Sequence, residues 1–228
     1  QRGMNVSVLH VMVRIRERQL DGRASRMLRQ SIEQKGINII TEANTEALIS
    51  KKGHVSQVRL KDGTVLDADL VVFAVGIRPN IVLAQSAGLR CNRGILVNDT
   101  MQTFDPSIYA VGECIEHRNQ TFGLVEPLWG QAFICATHLA EHGSLTFKSP
   151  TVPTQLKVSG VDVFSAGNID PADDYEDIIL NDEKRQIYKR IIIQKDKVIG
   201  AVLFGDTEDG MWYAELIADQ TPISTFRN

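Results

Sequence analysis

The stretch LVVFAV at residues 70–75 offers no polar side chain to either face of a strand. A half-exposed antiparallel strand alternates apolar and polar residues. A run that is apolar at every position belongs where both faces are covered, as in a central strand of a parallel sheet. Parallel neighbours need crossover connections, usually helices, and the preceding sequence supplies one. Ala24, Met27, Leu28 and Ile32 recur at helical spacing over residues 24–35, with Gly36 as the stop. Strands are expected on either side, at 5–10 and 37–40. Three shorter strands follow at 45–50, 55–60 and Val65–Leu66, separated by KKG and KDG turns. Strand, helix, strand, antiparallel meander and buried strand make up most of an α/β dinucleotide-binding domain. Its first strand, glycine turn and first helix are not in the sequence. QRGMNV reads as the end of a helix, so the expectation is a chain cut in mid-domain.

Residues 76–80, GIRPN, make a sharp connection to a short helix over 81–87 and a strand near 95–97. Ile108, Tyr109, Ala110 and Val111 have the composition of another buried strand, which runs into Gly112 and Glu113. Pro127 suits the first position of a helix reaching about residue 142. Residues 143–153 read as a linker, and the remainder as β-rich: 155–158, 161–166, 177–180, 187–193 and 198–204, closed by a helix over 209–218. The expected architecture is α/β, becoming α+β at the C-terminus. The chain divides into parts at 1–76 and 77–147 and a mixed-sheet domain at 148–228.

A net charge of −3 gives no footprint for nucleic acid or an anionic membrane. No apolar run is long enough to span a bilayer, and the N-terminus lacks a signal-peptide pattern. Cys91, Cys114 and Cys135 are scattered without a CxxC, which fits a reducing cytoplasm and offers no redox dithiol or cluster ligands. His138 and His142 share a helical spacing but lack a third ligand, so no metal site is expected.

Two motifs then carry a resemblance. VVFAVGIRPN followed by TFDPSIYAVGEC resembles the FAD- and NAD(P)H-dependent pyridine nucleotide oxidoreductases. These motifs lie in the first two parts of the chain, so the resemblance implies partial Rossmann-like NAD(P)- and FAD-binding domains at 1–76 and 77–147. RERQLD, GLVEPLWGQA, LKVSGVDVFSAGN, IYKRIII and GAVLFGDT further resemble the flavin module of the nitrite reductase large subunit, to which the electron-transfer subunit of assimilatory nitrate reductase is similar. The resemblance implies that Gly112 and Glu113 meet the ribityl chain of FAD, with Glu113 standing where most of the family carries Asp. A carboxylate accepts several hydrogen bonds, so a sugar-like diol satisfies it; the plain alternative is a Glu capping a turn. It also implies that the helix opened by Pro127 points its N-terminus at the flavin, lined by Leu128, Trp129, Gly130 and Gln131. Otherwise Trp129 would belong to an interdomain core.

On the nicotinamide side the resemblance makes Gly76 an approach point for the dinucleotide, or else simply a turn glycine. The residue ending the second strand of such domains often selects the cofactor, an acid favouring NAD. Here it is His10, with Arg14, Arg16 and Arg18 behind it. These cations would suit a 2′-phosphate, or form a solvated loop, so the expectation is NAD(P)H. No G-x-G-x-x-G occurs, so neither FAD nor NAD(P)H is expected to bind these residues alone. The implied partners are iron–sulfur and sirohaem, or molybdenum, reductase domains. The other role open to the chain is a docking module, pairing subunits as a homodimer through apolar faces at Ile191, Ile193, Val202 and Phe204.

Overall fold

The expected strand–helix–strand unit opens the computed structural model, which describes residues 3–141, 143, 145–149, 153–158 and 160–226. β1 (Val6–Leu9) pairs in parallel with β2 (Ile37–Ile40), in the register Val6↔Ile37 to Leu9↔Ile40. Between them runs α1 (Gly22–Glu33). Asp21 caps it, Oδ1 accepting from the Ala24 N–H at 2.9 Å, and Gly36 (φ +78°) turns the chain away beyond its end. β3 (Thr45–Lys51), β4 (His54–Leu60) and β5 (Val65–Asp67) form the antiparallel meander, packed on a small core of Ala43, Val58 and Leu60.

Next come α2 (Val82–Ser86), β6 (Ile95–Val97), β7 (Ile115–His117), β8 (Gln120–Thr121) and α3 (Val125–Leu139). β6 and β7 pair in parallel, β7 and β8 antiparallel. The C-terminal part folds as β9 (Thr154–Val158), β10 (Val161–Gly167), β11 (Glu176–Asp182), β12 (Ile187–Gln194) and β13 (Lys197–Phe204), followed by α4 (Gly210–Asp219). These strands make one antiparallel sheet in the order β11-β12-β13-β10-β9.

The chain divides into two compact units. Residues up to Val71 join those from position 151 onward, and 72–150 form the other. In the first unit the C-terminal sheet is covered on both faces. Phe164, Ala166, Ile191, Ile193, Ala201 and Leu203 pack with Leu216 and Ile217 of α4. Val163, Tyr188, Ile192, Val202 and Phe204 pack with Leu20, Ala24, Met27 and Leu28 at α1. The faces expected at Ile191, Ile193, Val202 and Phe204 are therefore core, all buried, and not a free pairing surface. Exposed apolar side chains of this sheet lie instead on its edge strand β11, at Ile178, Ile179 and Leu180.

Two expected strands do not form. Residues 70–75 take no strand pairing, leaving Leu70 75% and Val75 86% exposed. Residues 108–111 make only an isolated bridge, Tyr109 to Gln102. An apolar run becomes a strand only when neighbours pair its N–H and C=O groups; among the described residues none does so at 70–75, and at 108–111 only the Ala110 N–H and the Ile108 carbonyl reach the facing backbone, at Met101 and Thr103. The strand of this region lies further on, at β7. Pro127 is the third residue of α3 rather than its first, still within the turn whose N–H groups lack helical partners. Position 142, where α3 was expected to end, lies outside the described residues.

Candidate functional site

In the 72–150 unit, a backbone excursion brings the Gly112–Glu113 turn to α3. Gly112 sits at φ +102°, and nothing lies within 4 Å of where its Cβ would be. Its N–H donates to Oε1 of Gln131 at 2.8 Å. Gln131 is completely buried, so the side chain expected to line the flavin end instead anchors the turn from beneath. Its Nε2 is buried without a partner among the described residues. Glu113 is exposed and makes no hydrogen bond or ion pair among the described residues.

α3 starts after Leu124 with no side-chain cap, so its first N–H groups remain available. Trp129 is exposed near that end, Leu128 is half-buried in the local core, and Pro127 is buried. An open cleft of about 460 Å³ runs beside this helix, between Pro127, Gly130 and Ile134 and the segment Thr146–Lys148.

The buried carboxylate of this region is Glu116, three residues past Glu113. Its Oε1 accepts from Asn92 Nδ2 (3.1 Å), and Oε2 from the N–H groups of Arg93 (2.8 Å) and Gly94 (3.1 Å). Burial pushes its pKa up, but these donors together with the Arg93 charge hold it below the usual value. Glu116 thus fixes the turn that leads into β6. Beside it Asp99 accepts from Arg118 Nη2 (2.6 Å) and His117 Nε2 (2.8 Å), which hold it at about 2, Arg118 contributing most. The buried His117 ring packs edge-on against Phe147. Sequence reasoning missed Glu116 and His117. Their one signal was the adjacent pair on a short strand, which Asn92-Arg93-Gly94 had to meet.

In the other unit, His10 follows the end of β1. Its N–H donates to Ile40 O and its carbonyl accepts from Ala43 N–H, both at 2.9 Å. Its Nε2 lies 3.1 Å from the Arg14 carbonyl and 3.1 Å from Glu17 Oε2. The Arg14 guanidinium turns to Asp170 at 3.6 Å. Arg16 is exposed, in a left-handed conformation (φ 55°). Glu17 was not singled out from the sequence. Its own backbone N–H, aided by His10, holds the carboxylate below the ordinary range despite partial burial. Gly76 (φ +80°) belongs to the 72–150 unit, with open space around its missing Cβ.

These features suit two groups by chemistry. An exposed carboxylate without a partner, an open glycine and an uncapped helix end fit a polyhydroxylated, anionic cofactor such as FAD. A carboxylate hydrogen-bonded to the residue that follows a parallel strand, as Glu17 is to His10, suits a sugar diol.

Residues 1–132 match the family described as pyridine nucleotide-disulphide oxidoreductase. The chain belongs to that family. Residues 153–221 match the C-terminal domain of rubredoxin NAD+ reductase. The chain is 45% identical over 222 residues to the nitrite reductase [NAD(P)H] of Bacillus subtilis, covering 97% of this chain and 28% of that protein. It is 42% identical to the assimilatory nitrate reductase electron transfer subunit of the same organism, covering 97% and 29%. Among solved structures, a ferredoxin reductase from Rhodopseudomonas palustris superposes with a TM-score of 0.82 at 22% identity, over 97% of this chain and 55% of that one. This neighbour bears out the α/β, Rossmann-like fold class. The chain thus spans under a third of the two Bacillus relatives. Among the described residues no helix is long and apolar enough to cross a membrane.

Proposed function

We propose that this chain is part of the reductase module that passes electrons from NAD(P)H through FAD to the metal centre of a nitrite or nitrate reductase. The observation that carries the reading is the extent of the likeness: both Bacillus relatives match 97% of the chain, across the nucleotide-binding part and the C-terminal sheet alike. FAD supplies the change from hydride to single-electron chemistry; the protein supplies binding and orientation. Glu113 on its Gly112 turn would receive the ribityl hydroxyls, and the α3 N-terminus, with Leu128 and Trp129, would face the flavin ring. His10, Arg14, Arg16 and Gly76 belong to the nicotinamide side. The domain division we adopt is 1–76, 77–147 and 148–228. The run at 70–75 and the turn at 112–113 would then gain strand partners from polypeptide beyond these residues, along with the glycine turns that cradle both pyrophosphates. Iron–sulfur and sirohaem, or molybdenum, domains would take the electrons. A homodimer through the C-terminal part would use exposed apolar side chains such as Ile178, Ile179 and Leu180 of β11 or Met211 and Trp212 of α4, since the faces of β12 and β13 are buried.

The test is flavin content in the full-length protein. Glu113→Ala removes a charged acceptor, so FAD affinity should fall about tenfold or more. Unchanged FAD retention in the variant would refute the role of Glu113. Absence of flavin from the wild-type protein would refute the reductase reading itself.

A further inference from the structure

We propose that β11 is a docking edge, and that its occupant is an extended segment of another polypeptide, apolar at its centre and basic at its C-terminal end. The inference stands apart from the reductase reading. β11 closes one side of the C-terminal sheet. Among the described residues it pairs only with β12, over all seven of its residues from Glu176↔Ile193 to Asp182↔Ile187. Every second residue therefore turns its N–H and C=O groups outward, toward a further strand. Natural edges are blunted by a charge, a proline or brevity. The opposite edge, β9, is blunted: it has five residues and carries Lys157, exposed and 3.9 Å from Asp162 of β10. The centre of β11 has no such device. Ile178, Ile179 and Leu180 stand there 57%, 56% and 52% exposed. By register Ile178 lies opposite Ile191, on the α4 face, and Ile179 opposite Arg190, on the α1 face. The strand thus offers apolar side chains on both faces.

Charge selects the occupant. Asp177 is met by Arg190 at 3.0 Å, Asp182 by Arg185 at 3.8 Å and Glu183 by Arg23 at 2.8 Å. Asp173, Asp174 and Glu176 are exposed, and their carboxylates make no hydrogen bond or ion pair among the described residues. The unbalanced charge lies at the N-terminal end of the edge. An antiparallel strand brings its C-terminal end to that point, where lysine or arginine would be drawn in. Main-chain hydrogen bonds would supply the affinity, and the charge would set the direction. A second copy fits less well. With Ile179 opposite itself, Glu176 would face Asp182 of the other copy, like charges directly opposed. Arg185 is already engaged by Asp182 of its own copy, and at Lys184 the chain is turning back toward β12. Any homodimer is left with side chains such as Met211 and Trp212 of α4.

The experiment follows a labelled synthetic peptide by fluorescence anisotropy on the full-length protein at low salt. The peptide reads Thr-Val three times and then three lysines. It should bind, and one with glutamates in place of the lysines should bind about tenfold or more weakly. The combined variant Asp173→Asn, Asp174→Asn and Glu176→Gln alters only exposed side chains and should remove that discrimination. A lysine peptide N-methylated throughout its Thr-Val part keeps the charge but cannot donate to the edge; its affinity should fall about tenfold or more. Equal binding of the methylated peptide would overturn the proposal, leaving charge alone as the attraction. So would a combined variant that still tells lysine from glutamate, or no binding at all. A full-length dimer that Ile179→Lys dissociates, seen by sedimentation, would overturn it in favour of a second copy on this edge.

Discussion

Arg190 of β12 sits where α1 meets the C-terminal sheet, and replacing it with Met should cost about 3 kcal/mol of stability. Its side chain is 11% exposed. It lies 3.0 Å from Asp177, 25% exposed, and 3.6 Å from Asp21, 11% exposed. It also donates to the Ile169 carbonyl at 3.1 Å. Removing one member of a buried ion pair costs about 3–5 kcal/mol, mostly because the remaining charge is stranded. Here the lower end applies. Asp21 keeps the Tyr188 hydroxyl at 2.5 Å and the Ala24 N–H, and Asp177 reaches water. With a urea m-value of about 2 kcal/mol/M, the midpoint should fall by about 1.5 M. The assay is urea unfolding of this chain, followed by circular dichroism and by fluorescence of Trp212 with Trp129 replaced by Phe, since coincident curves are needed for the calculation. The stranded-charge mechanism makes a sharper demand. Arg190→Met with Asp177→Leu removes both charges and should cost less than Arg190→Met alone. A single-variant loss under about 1 kcal/mol, or a double variant worse than the single, would refute the reasoning.

Gly94→Ala should destabilise the 72–150 unit by about 2–3 kcal/mol. The new Cβ would lie 2.5 Å from the Ile115 carbonyl carbon and 2.7 Å from the Glu116 nitrogen, backbone that cannot swing aside; thermal unfolding of the variant measures the loss, and an unchanged midpoint would refute the clash. Acid should loosen the Asp99 cluster. Its folded pKa, about 2 against an ordinary 3.8, is depressed, so its stabilisation is complete above about pH 4 and is lost as pH falls toward 2. Asp99 is 35% exposed and screened by water, so the loss should be about 1 kcal/mol. A pH titration of stability in which Asp99→Asn shows the same slope as wild type over that window would refute it.

The local rules were legible in the sequence where the partner of each residue lay close along the chain. Helix α1 announced itself by the spacing of Ala24, Met27, Leu28 and Ile32, and the meander by its KKG and KDG turns. What pattern reading gave wrongly were strands at 70–75 and 108–111, because hydrophobicity reports a tendency to be buried and strand pairing needs a second strand. Long-range polar pairing was illegible for a different reason. Asp21 reads as a helix cap and nothing more, yet its second oxygen accepts from Tyr188, 167 residues away. A single carboxylate can serve a local and a distant donor at once, and only the first leaves a trace in the sequence.

The same distinction separates the two carboxylates of the GECIEH segment. The resemblance gives Glu113 the acceptor role, with a cap on a turn as the plain alternative. The buried and paired carboxylate is Glu116, which takes two backbone N–H groups and the Asn92 amide. Glu113 is left facing solvent on a turn that Gln131 holds from below. A carboxylate satisfied by the protein is a structural element; one held in place yet unpaired is available to a ligand. The spacing of three residues puts Glu113 on the turn that Gln131 holds and Glu116 on β7, where it fixes the 92–94 turn. On the proposed reading, this division of labour, rather than the identity of either glutamate alone, is what would suit the segment to a cofactor.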